Sequence, residues 1–132
     1  MKLRLMLAMV LMAACTDSVF ASVSTEAATA LARRILGEQC DRIRFQDVSR
    51  NKADAEFFTV EDSDGGVLVS GTGAPAMAMG LNWYLRYRCK VDVSWYSHDP
   101  VSLPSSLPVV GEPFTSESRV ANRFFLNYCT FG

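Results

Sequence analysis

Three groups of side chains in this sequence are of types that do chemistry. They are an acidic cluster at Glu61, Asp62 and Asp64, cysteines at Cys40, Cys89 and Cys129 with the single histidine His98, and aromatic residues at Trp83, Trp95 and Tyr96. Paired carboxylates act as acid, base or nucleophile when a pocket holds them on either side of a bond. These three flank Asp64-Gly65-Gly66, a turn signature, and carboxylates at turns are ordinarily solvated or bonded to backbone amides. No catalytic residue is assigned from them. Zinc needs closely spaced Cys and His ligands; no close Cys pair occurs, and His98 lies in the loop-like Tyr96-Ser97-His98-Asp99-Pro100. Neither a metal site nor a cofactor is therefore expected. Trp83, Trp95 and Tyr96 are the large aromatic side chains to follow if they lie exposed.

The chain opens on Met1-Lys2-Leu3-Arg4, followed by an apolar run from Leu5 to Ala14 and polar Thr16-Asp17-Ser18. That is the layout of a secretory leader, too short to cross a bilayer, which takes roughly 20 apolar residues. Val19-Phe20-Ala21 presents small side chains for cleavage after Ala21, so residues 1–21 are expected to be removed and the mature chain to start at Ser22. Met12-Ala13-Ala14-Cys15 offers a lipobox-like alternative in which Cys15 is acylated and the protein is tethered to a membrane. Either way the expected location is secreted, periplasmic or within a secretory pathway, including the lysosome. Removing the leader leaves three cysteines, which cannot all pair; Cys40 and Cys89 form either a bridge or two buried thiols. Thirteen basic and fourteen acidic residues give a net charge of -1, without the positive surface that nucleic acid or an anionic membrane needs.

Within residues 22–98 the patterns describe one small domain. Ala28, Leu31, Ala32, Ile35 and Leu36 recur at helical spacing and Gly37 can end that helix. Arg42-Ile43-Arg44-Phe45, Glu56-Phe57-Phe58-Thr59-Val60 and Val67-Leu68-Val69 read as strands, the last two joined as a hairpin through the Asp-Gly pair. A second helix starts near Gly73-Ala74-Pro75 and carries an apolar face of Ala74, Met77, Ala78, Leu81 and Leu85; Met77, Met79 and Trp83 read as packing rather than as a ligand stripe. Val91-Asp92-Val93-Ser94-Trp95 alternates as a fourth strand. The expected fold is α/β of the α+β kind, two layers in the order α-β-β-β-α-β. Residues 99–118, with Pro100, Pro104, Pro108 and Pro113 among serines, read as an extended linker that either wraps over a surface or spaces two domains. Residues 119–132 then read as an aromatic strand with no partner strand of its own.

Several blocks in order give a resemblance. Gly71-Thr72-Gly73, Gly80-Leu81-Asn82-Trp83-Tyr84-Leu85-Arg86-Tyr87, Val93-Ser94-Trp95, Leu103-Pro104, Leu107-Pro108 and Phe124-Phe125-Leu126-Asn127-Tyr128-Cys129-Thr130 resemble the start of the α-N-acetylglucosaminidases of glycoside hydrolase family 89. The resemblance implies a small N-terminal α/β domain, then a catalytic (β/α)8 barrel that removes terminal N-acetyl-α-D-glucosamine from glycans such as heparan sulfate. Residues 119–132 would be the first barrel strand, cut short. By that resemblance Asn127 and Cys129 line the sugar pocket; residues two apart on a strand face the same side, near the end where barrel sites assemble. Asn127 would hydrogen-bond the sugar and Cys129 would pack against it, or both merely fill the barrel. The family's retaining chemistry uses two carboxyl groups about 5–5.5 Å apart, on later strands that no residue here matches. The expected partner is thus the barrel, with glycan reached only through it. The alternatives are a free-standing carbohydrate-binding or scaffold module and, least supported by the residues, a small enzyme.

Overall fold

A computed structural model describes residues 22–50, 55–94, 96 and 100–120. Residues 1–21 with Cys15, residues Trp95, His98 and Asp99, and residues 121–132 with Asn127 and Cys129 lie outside them.

Helix α1 spans Val23–Leu36. Ser22 caps it, its hydroxyl oxygen accepting from the Thr25 amide at 3.2 Å, with Glu26 in the first turn and Arg33 and Arg34 in the last, where each charge opposes the helix dipole. Gly37, at φ 62°, ends it by donating its N–H to the Arg33 carbonyl. A 3-10 turn over Gly37–Arg42 leads into β1, Ile43–Asp47. Strands β2 (Phe57–Ser63) and β3 (Gly66–Gly71) form the expected hairpin, with Gly65 at φ 72° in its turn. Helix α2 spans Ala74–Tyr87 and has Pro75 in its first turn, where no amide is needed. The last strand, β4, is Phe114–Glu117.

The sheet order is β1-β3-β2-β4, with β1 parallel to β3 and the other pairs antiparallel. Both helices cover one face. Phe58, Val60, Val67 and Val69 alternate toward Leu36, Met77, Leu81 and Leu85, and all eight are buried. Gly80 lets α2 approach closely: a Cβ there would lie 2.6 Å from Val69 Cγ1 and 3.1 Å from Phe58 Cδ2. At Gly71 a Cβ would stand 2.8 Å from the Met77 backbone nitrogen.

The order α-β-β-β-α-β is as the sequence predicts, but a different segment supplies its last strand. Val91–Ser94 form no strand. The Arg88 and Cys89 amides both bond the Tyr84 carbonyl, Lys90 turns the chain at φ 58°, and the Val91 amide reaches back to Leu85 at 2.9 Å, so the segment closes the helix end instead. Strand β4 takes the edge beside β2, pairing Val60 with Phe114 and Phe57 with Glu117. It comes from the stretch read as linker, which wraps over the core rather than standing away from it. Leu103 and Val110 are buried, and the Val101 amide bonds the Ile35 carbonyl at 2.7 Å.

Candidate functional site

Strand alternation puts Glu61 and Asp62 on opposite faces of β2, so the densest acidic cluster does not converge. The Asp62 carboxylate is already engaged by backbone. Its Oδ1 accepts from the Val110 amide at 2.8 Å and its Oδ2 from the Gly111 amide at 2.9 Å. A carboxylate held by two amides is an anchor for main chain, the role expected of carboxylates near turns.

Asp62 is one member of a larger arrangement. Gln39 Oε1 accepts from the Leu103 amide at 2.9 Å, and Arg42 donates to the carbonyls of Pro104 and Ser105 at 3.2 and 3.1 Å. The Tyr84 hydroxyl donates to the Pro108 carbonyl and Arg88 to the Val110 carbonyl, both at 2.8 Å. Five side chains from the 3-10 turn, β2, α2 and the residue after α2 thus hold the extended strap, Val101 to Glu117, through its main chain. The Pro-rich strap cannot satisfy its backbone by pairing with itself, so the core supplies the partners. Sequence reasoning missed Gln39, Arg42, Tyr84 and Arg88. Only Tyr84 left a signal there: a hydroxyl between core residues Leu81 and Leu85 must find a polar partner when buried.

Burial raises the Tyr84 pKa well above the usual phenol range, with the neighbouring Cys89 thiol adding to the effect. Burial likewise raises that of Cys89. Cys40 and Cys89 are free and buried, the second of the two states the sequence allowed. Among the described residues no group of three or more His, Cys, Asp or Glu side chains is placed to hold a metal ion.

Trp83 is not an open sugar platform. Its ring stacks on Phe114 with centroids 4.1 Å apart and planes 7° from parallel, and the Arg88 guanidinium lies 5.5 Å from the ring centroid. Tyr96 is exposed, while Trp95, Asn127 and Cys129 fall outside the described residues. A groove of about 1030 Å³ runs between α1 and β1, with Arg33, Arg34, Phe45 and Asp47 on its walls.

Two helices on one face of a four-stranded mixed sheet, closed by a strapped extended segment, define a small two-layer α+β domain. Over residues 26–109 the sequence matches the family described as alpha-N-acetylglucosaminidase (NAGLU) N-terminal domain, and the chain belongs to that family. Its fold is similar to that of the family 89 glycoside hydrolase from Clostridium perfringens in complex with PUGNAc, with a TM-score of 0.74 and 28% identity over 88% of this chain. The complex of that enzyme with 2-acetamido-1,2-dideoxynojirmycin gives 0.71 and 28% over the same share. A variant in complex with its substrate GlcNAc-α-1,4-galactose gives 0.70 and 27% over 82%. The likeness spans 12–13% of the length of those enzymes. No curated protein matches the sequence.

Proposed function

We propose that this chain is the non-catalytic N-terminal part of an exported α-N-acetylglucosaminidase-type glycoside hydrolase. The observation that carries the reading is the extent of the likeness to family 89 enzymes. It covers up to 88% of the chain, more than residues 26–109 alone, and so includes the strap as well as the core. The parent reaction is removal of terminal N-acetyl-α-D-glucosamine with retention, by two barrel carboxyl groups about 5–5.5 Å apart that are supplied from outside this sequence. Residues 119–132 open the barrel, with Asn127 and Cys129 facing the sugar, and the leader directs export with cleavage after Ala21. The domain's own part is to carry and support that barrel. Its densest acidic cluster supports this division of labour, because Asp62 is committed to strap amides.

The reading frame beyond the codon for Gly132 supplies the test. Its continuation into barrel strands, with release of N-acetylglucosamine from GlcNAc-α-1,4-galactose by the extended protein and none by the 132-residue chain, is the expected result. Hydrolysis by the 132-residue chain alone would show that it is catalytic. A stop codon at once, with glycan binding by the chain, would replace the reading with that of a carbohydrate-binding module.

A further inference from the structure

Strand β1 is an edge of the sheet and, among the described residues, pairs only with β3. In a parallel ladder alternate residues turn their main-chain groups to the same neighbour. The Val48 amide bonds the Gly71 carbonyl, so Val48, Gln46 and Arg44 face β3. Phe45 and Asp47 therefore aim their N–H and C=O groups outward, where no described residue bonds them. Ile43 is turned the same way, and its N–H is taken by the Cys40 carbonyl of its own chain. Free main-chain groups along an edge are a template for another strand. The Phe45 side chain is in step with buried Ile43, so it points to the helix layer and into the groove of about 1030 Å³ beside α1. On the α1 wall, exposed Ala27 and Ala30 leave that groove open.

The two ends of the groove carry opposite charge. Helix α1 runs antiparallel to β1: the Ser22 hydroxyl before α1 donates to the Asp47 carboxylate at the end of β1 at 2.9 Å, and Arg33 in the last turn of α1 pairs with Asp41, ahead of β1, at 3.5 Å. Glu26 and Asp47 thus mark one end, and Arg33 and Arg34 the other. We propose that this groove is a dimer interface, which seats β1 of a second copy antiparallel to its own across a two-fold axis at Phe45. That axis makes the contact isologous, so the same patch must complement itself, and here it does. Phe45 of each copy meets Phe45 of the other as a directly opposed pair that exchanges two main-chain hydrogen bonds, with both rings on the helix side of the sheet. Asp47 of the second copy arrives beside Ile43, at the end that carries Arg33 and Arg34. The acidic first turn of each α1 is turned toward the basic last turn of the other, and a net charge of -1 sets little general repulsion against the meeting.

The interface goes beyond the enzymatic reading and is tested without any assay of activity, so the two stand or fall separately. Sedimentation of the 132-residue chain should show monomer and dimer in exchange. Hydrogen exchange at the Phe45 amide should slow as protein concentration rises, while that at buried Val69 in β3 stays constant. Two exposed charges then test the geometry. Glu26→Arg and Arg34→Glu each set like charges against one another at both ends of a dimer, and each should weaken association several-fold. Mixed in equal amounts, the two variants present opposite charges at both ends, and the mixture should recover the native association. If either variant loses its fold, the concentration dependence at Phe45 in the native chain still decides. A chain that stays monomeric at about 1 mM would overturn the proposal. So would a dimer whose Phe45 exchange ignores concentration, or a mixture that associates no better than its parts, since either places the contact elsewhere.

Discussion

The segment from Val23 to Tyr87 and the strap from Val101 to Glu117 belong to one domain but are held by different forces. In the first, apolar side chains meet: Leu36, Met77, Leu81 and Leu85 pack on Val60, Val67 and Val69. In the second, Leu103 and Val110 are the buried side chains, β4 pairs with β2, and Gln39, Arg42, Asp62, Tyr84 and Arg88 grip the strap's main-chain groups. Burial is tolerant of sequence so long as volume and pattern are kept. A backbone grip depends instead on a few polar atoms arriving within hydrogen-bond distance. Losses should therefore be graded by side-chain volume in the first region and all-or-none by polar atom in the second.

Truncation separates the regions most strongly. A chain ending at Val120 keeps every described element and should unfold cooperatively in urea. One ending at Asp99 loses β4, Leu103, Val110 and the Trp83–Phe114 stack together, and should give a broad transition or none. A cooperative transition in the shorter chain would mean that the strap is an accessory and not part of the core. Next in size are the glycines against which α2 packs. Gly71→Ala drives a methyl toward the Met77 backbone nitrogen, which cannot rotate away, and Gly80→Ala drives one into Val69 and Phe58. Overpacking of this kind costs about 1–3 kcal/mol. Gly71→Ala should fall at the upper end, read as a shift in the denaturation midpoint at unchanged slope.

The same division decides what was legible in the sequence. Ala28, Ala32 and Leu36 announced α1, and Met77, Leu81 and Leu85 announced α2, because burial imprints a period on side-chain type. The Asp64-Gly65 turn announced the β2–β3 hairpin for an equally local reason. Strand β4 was invisible: Phe114-Thr115-Ser116-Glu117 has the alternation of a short edge strand, but Pro113 before it and serines around it mask the pattern. Val91 to Trp95 had the better alternation, but its described part, Val91–Ser94, forms no strand, since main-chain bonds at the end of α2 turn it away. The strap's partners were illegible because Arg42 and Arg88 recognise carbonyls, which every residue carries. The site residues Asn127 and Cys129 rested on the family motif, not on any pattern that the described residues could supply.

Asp62→Ala tests the polar grip where it is densest, since one carboxylate serves two amides. Leaving those donors without their partner should cost about 1–3 kcal/mol. The effect should be local, with faster hydrogen exchange at Val110 and Gly111 while Val67 and Val69 in β3 stay protected. Asp62→Asn, which retains one acceptor oxygen, should lose less. Uniformly faster exchange across the sheet in Asp62→Ala would erase the distinction between strap and core.

The smallest effect is expected at Tyr84, and pH isolates it. Tyr84→Phe removes one neutral hydrogen bond, to the Pro108 carbonyl, at a cost of about 0.5–1.5 kcal/mol. Burial raises the pKa of Tyr84, and that of Cys89, above their ordinary values, so in the folded protein both hold their protons to higher pH than in the unfolded chain. The unfolded state binds fewer protons on the alkaline side, and stability must fall as pH rises. The contribution is complete below the ordinary thiol and phenol values of about 8.5 and 10 and is lost progressively above them. Melting temperatures of the native chain should be level near neutrality and decline from about pH 9, first through Cys89 and then through Tyr84. In Tyr84→Phe the phenol's part of that slope should vanish, so the two melting curves converge as pH rises beyond about 10. A constant gap between the curves would mean that the Tyr84 hydroxyl is solvated in solution, and that the strap crosses α2 without its grip.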